Sequence, residues 1–160
     1  MANADLLEGD VVFSQPTDVL IWASRTYLYN VMQHRPIPAV LESTFREAKL
    51  DSLFEALMTV LWVLRASALR PLPVHEPTCP CVADYERALI AGWRCLQAND
   101  EASYMQAMAG ILVPANAAMI CNEMRHIARE LSRIERFWPD ADMPAQYPAS
   151  VAAQTTNRLH

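Results

Sequence analysis

Three glycines against eleven prolines constrain this 160-residue chain more than any other feature of it. Gly9, Gly92 and Gly110 are too few and too scattered for the glycine-rich phosphate loops of dinucleotide or P-loop sites, and too few for a turn-rich β-sandwich. The prolines fall in clusters, at Pro36 and Pro38, at Pro71, Pro73, Pro77 and Pro80, and at Pro139, Pro144 and Pro148. Proline removes a backbone donor and clashes with the preceding turn, so these clusters mark helix boundaries. Hydrophobic residues make up 52% of the chain and charged residues 19%, enough apolar material for one sizeable core. The fold class is therefore all-α: an irregular bundle of four to five helices in a single domain over residues 1–138, followed by a mobile C-terminal tail over 139–160.

Apolar spacings place the helices. The first runs from about Thr17 to His34, capped by Ser14 or Thr17, with Leu20, Ala23, Tyr27 and Val31 on one face. His34 at its end complements the helix dipole when protonated. A second helical region follows Pro38. Ser52-Leu53-Phe54-Glu55 has the form of a capping box. Beyond it Leu53, Leu57, Leu61, Leu64 and Ala68, widened by Phe54, Val60 and Val63, form a surface broad enough for the central helix of the bundle. A further helix spans about Cys81 to Gln97, with Val82, Tyr85, Leu89, Gly92 and Leu96 inward. Asn99 or Asp100 caps a short helix bearing Met105, Met108 and Leu112. Pro114 opens the last one, whose seam of Ala117, Ile120, Met124, Ile127, Leu131, Ile134 and Trp138 packs against the central helix.

The formal charge of −5 supplies no basic field for nucleic acid. The N-terminal residues lack the charged and apolar regions of a secretory signal, and the stretch Leu53–Leu69 carries Glu55 and Arg65, so neither export nor a membrane span is expected. The expected location is the cytoplasm, with the four cysteines as reduced thiols.

Two groups of residues carry candidate functions. Arginine occurs twelve times and lysine once, at Lys49. Arg125, Arg129, Arg133 and Arg136 form a row on the last helix away from its apolar seam. Like charges at that spacing repel mildly, so the row needs solvent or an acidic counterpart. The expected function is accordingly non-enzymatic: an adaptor, regulator or accessory subunit that meets a protein with an acidic surface, with homodimerisation through an apolar helix face as a second mode and no cofactor.

The alternative is metal or cofactor binding at His75-Glu76-Pro77-Thr78-Cys79-Pro80-Cys81. Zinc takes thiolate and imidazole ligands tetrahedrally, so His75, Cys79 and Cys81 supply part of a shell, with Cys95, Cys121 or His126 as the source of a fourth ligand. If Pro80 opens the following helix, Cys79 is its N-cap and the helix end favours thiolate, the setting of a redox thiol. A Cys-Pro pair can also ligate haem iron.

Two other patterns lead nowhere. Glu123 and His126 have the Glu-x-x-His spacing of di-iron bundles, but such centres need it twice and this chain holds one copy. Arg70 and His75 share the spacing of the arginine-to-histidine motif in HEPN-type helical ribonucleases; the resemblance ends with those two residues, which lie in a proline-rich loop.

Overall fold

A computed structural model describes Phe13 and residues 15–135. Among these residues there are seven helices and no strand: α1 (Pro16–Met32), α2 (Val40–Glu47), α3 (Asp51–Ser67), α4 (Asp84–Gln97), α5 (Glu101–Met108), α6 (Pro114–Met119) and α7 (Cys121–Glu135). The all-helical class stands, and the number of helices exceeds the four to five expected. None of the seven is long and apolar enough to cross a membrane. Ser14, Arg136, Trp138 and the expected tail lie outside the described residues.

The surplus helices have a local cause. The seam expected as one helix is interrupted at Ile120, yet Ile120 N–H still donates to the Asn116 carbonyl at 3.3 Å and Met124 N–H to that of Ile120 at 3.0 Å. The seam therefore runs through the irregularity, and Ala117, Ile120, Met124, Ile127, Leu131 and Ile134 are all buried. Those on α7 pack between α4 and α3, whose Leu53, Leu57, Leu61 and Leu64 are wholly buried, as the spacing of both stripes predicts. Gly92 lets α4 close on α5 and α7: a Cβ there would lie 3.1 Å from Met124 Cε and 3.3 Å from Tyr104 Cδ2. Tyr104 Oη donates to the Ala117 carbonyl at 2.7 Å, tying α5 to α6, and burial raises this phenol well above its ordinary pKa.

The most enclosed helix is α1 and not α3. Trp22 through Leu28 are buried without a break, whereas α3 exposes Glu55, Thr59 and Trp62. A helix buried on every side must satisfy its polar groups internally. Ser24 Oγ donates to the Leu20 carbonyl at 2.7 Å and Thr26 Oγ1 to that of Trp22 at 2.8 Å, which meets the requirement at two positions. Arg25 meets it differently, through the loop described below.

Caps also depart from expectation. The first helix is capped at Gln15, whose N–H donates to Asp18 Oδ2 at 3.1 Å, with Pro16 in the first turn. Ser52 does not cap α3, since the helix begins one residue before it with Leu50 at the N-cap. In the turn between α2 and α3, Leu50 N–H closes on the Phe45 carbonyl at 2.8 Å around Lys49. Asp100 caps α5 as expected, its Oδ1 accepting from Ser103 N–H at 2.9 Å, and Ser103 holds this carboxyl below the usual range.

With so few glycines, three helix ends place other residues in the left-handed region: His34 at φ 54°, Lys49 at 57° and Asn99 at 56°. His34 thus lies just past the end of α1 as the turn residue, its neighbour's N–H closing on the Asn30 carbonyl at 2.8 Å. A β-carbon is disfavoured in this conformation, least for asparagine. Lys49→Gly is therefore expected to stabilise the protein by about 0.5–1 kcal/mol, read by chemical denaturation. A loss of stability would show that the Lys49 side chain makes contacts outweighing its backbone strain.

Candidate metal and thiol centre

Between α3 and α4 the chain runs from 68 to 83 without helix, as four prolines in that stretch require. It crosses the outer face of α1 as a strap. Leu69 N–H anchors its start to the Ile111 carbonyl at 3.0 Å, and Leu72 and Val74 rest on the core. Its far end is fixed by one buried side chain of α1.

Arg25 is 3% exposed. Its guanidinium meets the Glu86 carboxylate through two parallel bonds, Nε to Oε1 at 2.5 Å and Nη2 to Oε2 at 2.8 Å. This is the bidentate geometry in which arginine and carboxylate match best. The remaining donors turn to the strap, Nη1 to the Cys79 carbonyl and Nη2 to the Cys81 carbonyl at 2.5 Å. Glu86, fully buried, also accepts from Ala83 N–H at 2.9 Å and from Tyr85 Oη at 3.2 Å. Burial, and then the neighbouring carboxylate, push the Tyr85 phenol far above its ordinary pKa. One ion pair thus joins α1 to the start of α4 and pins the backbone on both sides of Pro80.

This pinning corrects the expectation that α4 begins at Cys81. Its N-cap is Ala83 and its first residue Asp84, because Arg25 holds the two preceding carbonyls and Glu86 reaches back to close the first turn. Cys79 and Cys81 precede the helix, so Cys79 is not its N-cap. Val82, expected inward, is 43% exposed.

The strap then gathers the three residues singled out in the sequence. The Nδ1 or Nε2 of His75 and the sulfurs of Cys79 and Cys81 lie within 4.8 Å of one another. The two sulfurs are in disulfide contact with Cα atoms 5.6 Å apart, so two of the four thiols expected in reduced form are paired here. Cys81 N–H donates to the Cys79 sulfur at 3.4 Å. Beside the pair opens a mainly apolar cleft of about 220 Å³, walled by Ile21, Trp22, Cys79, Pro80 and Ile90 with Arg25 at its margin. Trp22 Nε1 is buried with no hydrogen-bond partner among the described residues.

The proposed sources of a fourth ligand do not join this group. Cys95 is a free thiol on α4 and Cys121 a buried one on α7, its thiol pushed up by desolvation. His126 Nε2 contacts the Ser52 carbonyl at 2.9 Å, so this histidine ties α7 to α3. Of the arginine row, Arg125 is bound by Glu101 at 2.6 Å and Arg133 by Glu130 at 2.7 Å, while Arg129 is exposed. The Arg133 hydrogen bond holds the Glu130 carboxyl below its usual range. Arg136 lies outside the described residues.

Sequence reasoning missed Arg25 and Glu86. Their 61-residue separation leaves no local motif, but one signal existed: Val19, Trp22 and Leu28 are apolar off the assigned stripe of α1, the mark of a helix covered on all sides.

No protein-family model matches the chain, and no curated protein and no solved structure matches it.

Proposed function

We propose that the protein binds a soft transition-metal ion, zinc foremost, through the thiolates of Cys79 and Cys81 and the imidazole of His75. The convergence of these ligand atoms within 4.8 Å carries the reading. A tetrahedral zinc with bonds of about 2.0–2.3 Å places its ligands roughly 3.3–3.8 Å apart, so once the Cys79–Cys81 pair is reduced the group needs only side-chain adjustment. Two sulfurs and one imidazole nitrogen are the donor set that selects zinc or copper(I) over magnesium or calcium. Three protein ligands leave one tetrahedral position for water or for a donor carried by another molecule. The reading calls for a reducing compartment such as the cytoplasm, where thiolates persist.

Untagged protein purified without chelator, under reductant, is expected to carry one equivalent of zinc, or to take up Co²⁺ with thiolate-to-metal absorption. Cys79→Ser abolishes that binding, whereas Cys95→Ser, on α4, leaves it intact. Reduced protein that takes up neither ion, or a Cys79→Ser variant that binds as the parent does, overturns the proposal.

A second reading keeps the adaptor role, in which helix surfaces hold another protein or a second copy of this one. Exposed apolar side chains favour it: Trp62 is 60% exposed and shares a shallow groove with Tyr27, Ile37, Phe54 and Met58. The Arg129 side of α7 is the face such a reading offers to an acidic partner.

A further inference from the structure

We infer that Cys79 and Cys81 form a reversible dithiol–disulfide couple that exchanges with external disulfides, and that metal and disulfide are alternative states of the one site. The metal half of this statement rests on the function proposed above; the exchange half stands without it. A Cα separation of 5.6 Å lies inside the range a disulfide spans, although only Pro80 separates the two cysteines. That separation is held from outside the pair, because Arg25 binds both cysteine carbonyls and is itself locked to Glu86. Proline at the middle position has no N–H and a fixed φ, which further narrows the conformations open to the pair. The one strap thus serves both states: metal ligation joins the two sulfurs and His75 to an ion, and disulfide closure joins the sulfurs to each other.

Their surroundings divide the labour. Cys81 is exposed and meets an incoming disulfide; Cys79 is half-buried, and its sulfur accepts from Cys81 N–H at 3.4 Å, which holds it beside its partner. In the first step the Cys81 thiolate attacks one sulfur of a disulfide R–S–S–R. A Cys81–S–S–R bond forms, the original S–S bond breaks and RS⁻ leaves. In the second the Cys79 thiolate attacks the Cys81 sulfur, the Cys79–Cys81 bond forms and a second RS⁻ leaves. The protein loses two thiol protons and two electrons, and one external disulfide becomes two thiols. The closed pair offers no thiolate, so a metal held there is released.

Oxidised glutathione is the test oxidant, with intact mass and peptide mapping as one readout and Co²⁺ absorption as the other. Reduced protein is expected to lose two hydrogens at the Cys79–Cys81 peptide and to release two equivalents of glutathione. Its Co²⁺ absorption disappears in step and returns with dithiothreitol. Cys79→Ser is expected to stop at one glutathione on Cys81, while Cys81→Ser reacts more slowly at Cys79. Stable mixed disulfides on the parent without closure overturn the couple. Closed protein that retains its Co²⁺ overturns the alternation. If reduced protein never binds Co²⁺, the metal reading falls, and the mass readout still decides the exchange.

Discussion

Glu86→Gln is expected to destabilise the protein by about 3 kcal/mol, the lower end of what removal of one partner from a buried ion pair costs. The amide preserves the shape of the side chain, but only its one oxygen still accepts while its N–H₂ faces donors, so the charge and two of the four acceptor positions are lost together. Arg25 then remains 3% exposed with no countercharge at its fork. Two further bonds compete for what the amide can offer, from Ala83 N–H and from Tyr85 Oη, and the first turn of α4 loosens with them. At about 2–4 °C per kcal/mol for a chain of this size, the midpoint of thermal unfolding falls by roughly 6–12 °C. The measurement belongs on reduced, metal-free protein, where ligand binding adds nothing to the midpoint. A shift below about 2 °C, under 1 kcal/mol, would mean that water reaches the pair and that the strap is held by its apolar contacts instead.

The parts of this fold legible in the sequence are those that one element decides alone. Leu53, Leu57, Leu61 and Leu64 bury because their own spacing aligns them, and Ile120 to Ile134 follow the same rule across an interrupted helix. Asp100 caps α5 because the cap needs only the next three residues. What could not be read depends on a second element arriving. The stripe assigned to α1 leaves Arg25 on an outer face; Val19, Trp22 and Leu28 signal that this face is covered, but nothing within α1 names the segment between Ala68 and Ala83 as its cover. The start of α4 was misplaced for the same reason, since the carbonyls before it are taken by a side chain from another helix. The three metal-ligand candidates were legible as a list because they lie within seven residues. Their convergence was not, because it depends on the path of the strap. The fourth-ligand candidates failed on the same ground: Cys95, Cys121 and His126 were chosen by residue type and belong to other packing sites.

Replacing the pair as a whole, Arg25→Met with Glu86→Leu, is expected to separate folding from ligation. A buried ion pair exchanged for apolar residues of similar volume is often neutral or stabilising, but Ala83 N–H and the Tyr85 hydroxyl lose their acceptor with Glu86, so the double variant should fall about 1–3 kcal/mol below the parent. The methionine fills the arginine's path with a flexible chain but cannot donate to the carbonyls of Cys79 and Cys81. Those carbonyls belong to a half-exposed strap and can turn to water, which limits the cost to stability. It does not restore the orientation of the thiols. Groups that orient metal ligands without touching the metal commonly contribute 10–100-fold to affinity, and a Co²⁺ titration of the reduced double variant should show a loss of about that size. Disulfide closure should slow as well, since a loosened strap brings the two sulfurs together less often. An unchanged Co²⁺ affinity would assign the arrangement of the thiols to Pro77, Pro80 and the packing of Leu72 and Val74, and would leave Arg25 a purely structural role. The two measurements separate the roles: the unfolding midpoint reads what the ion pair and the donors around Glu86 contribute to stability, and the Co²⁺ titration reads what the guanidinium contributes to the thiols.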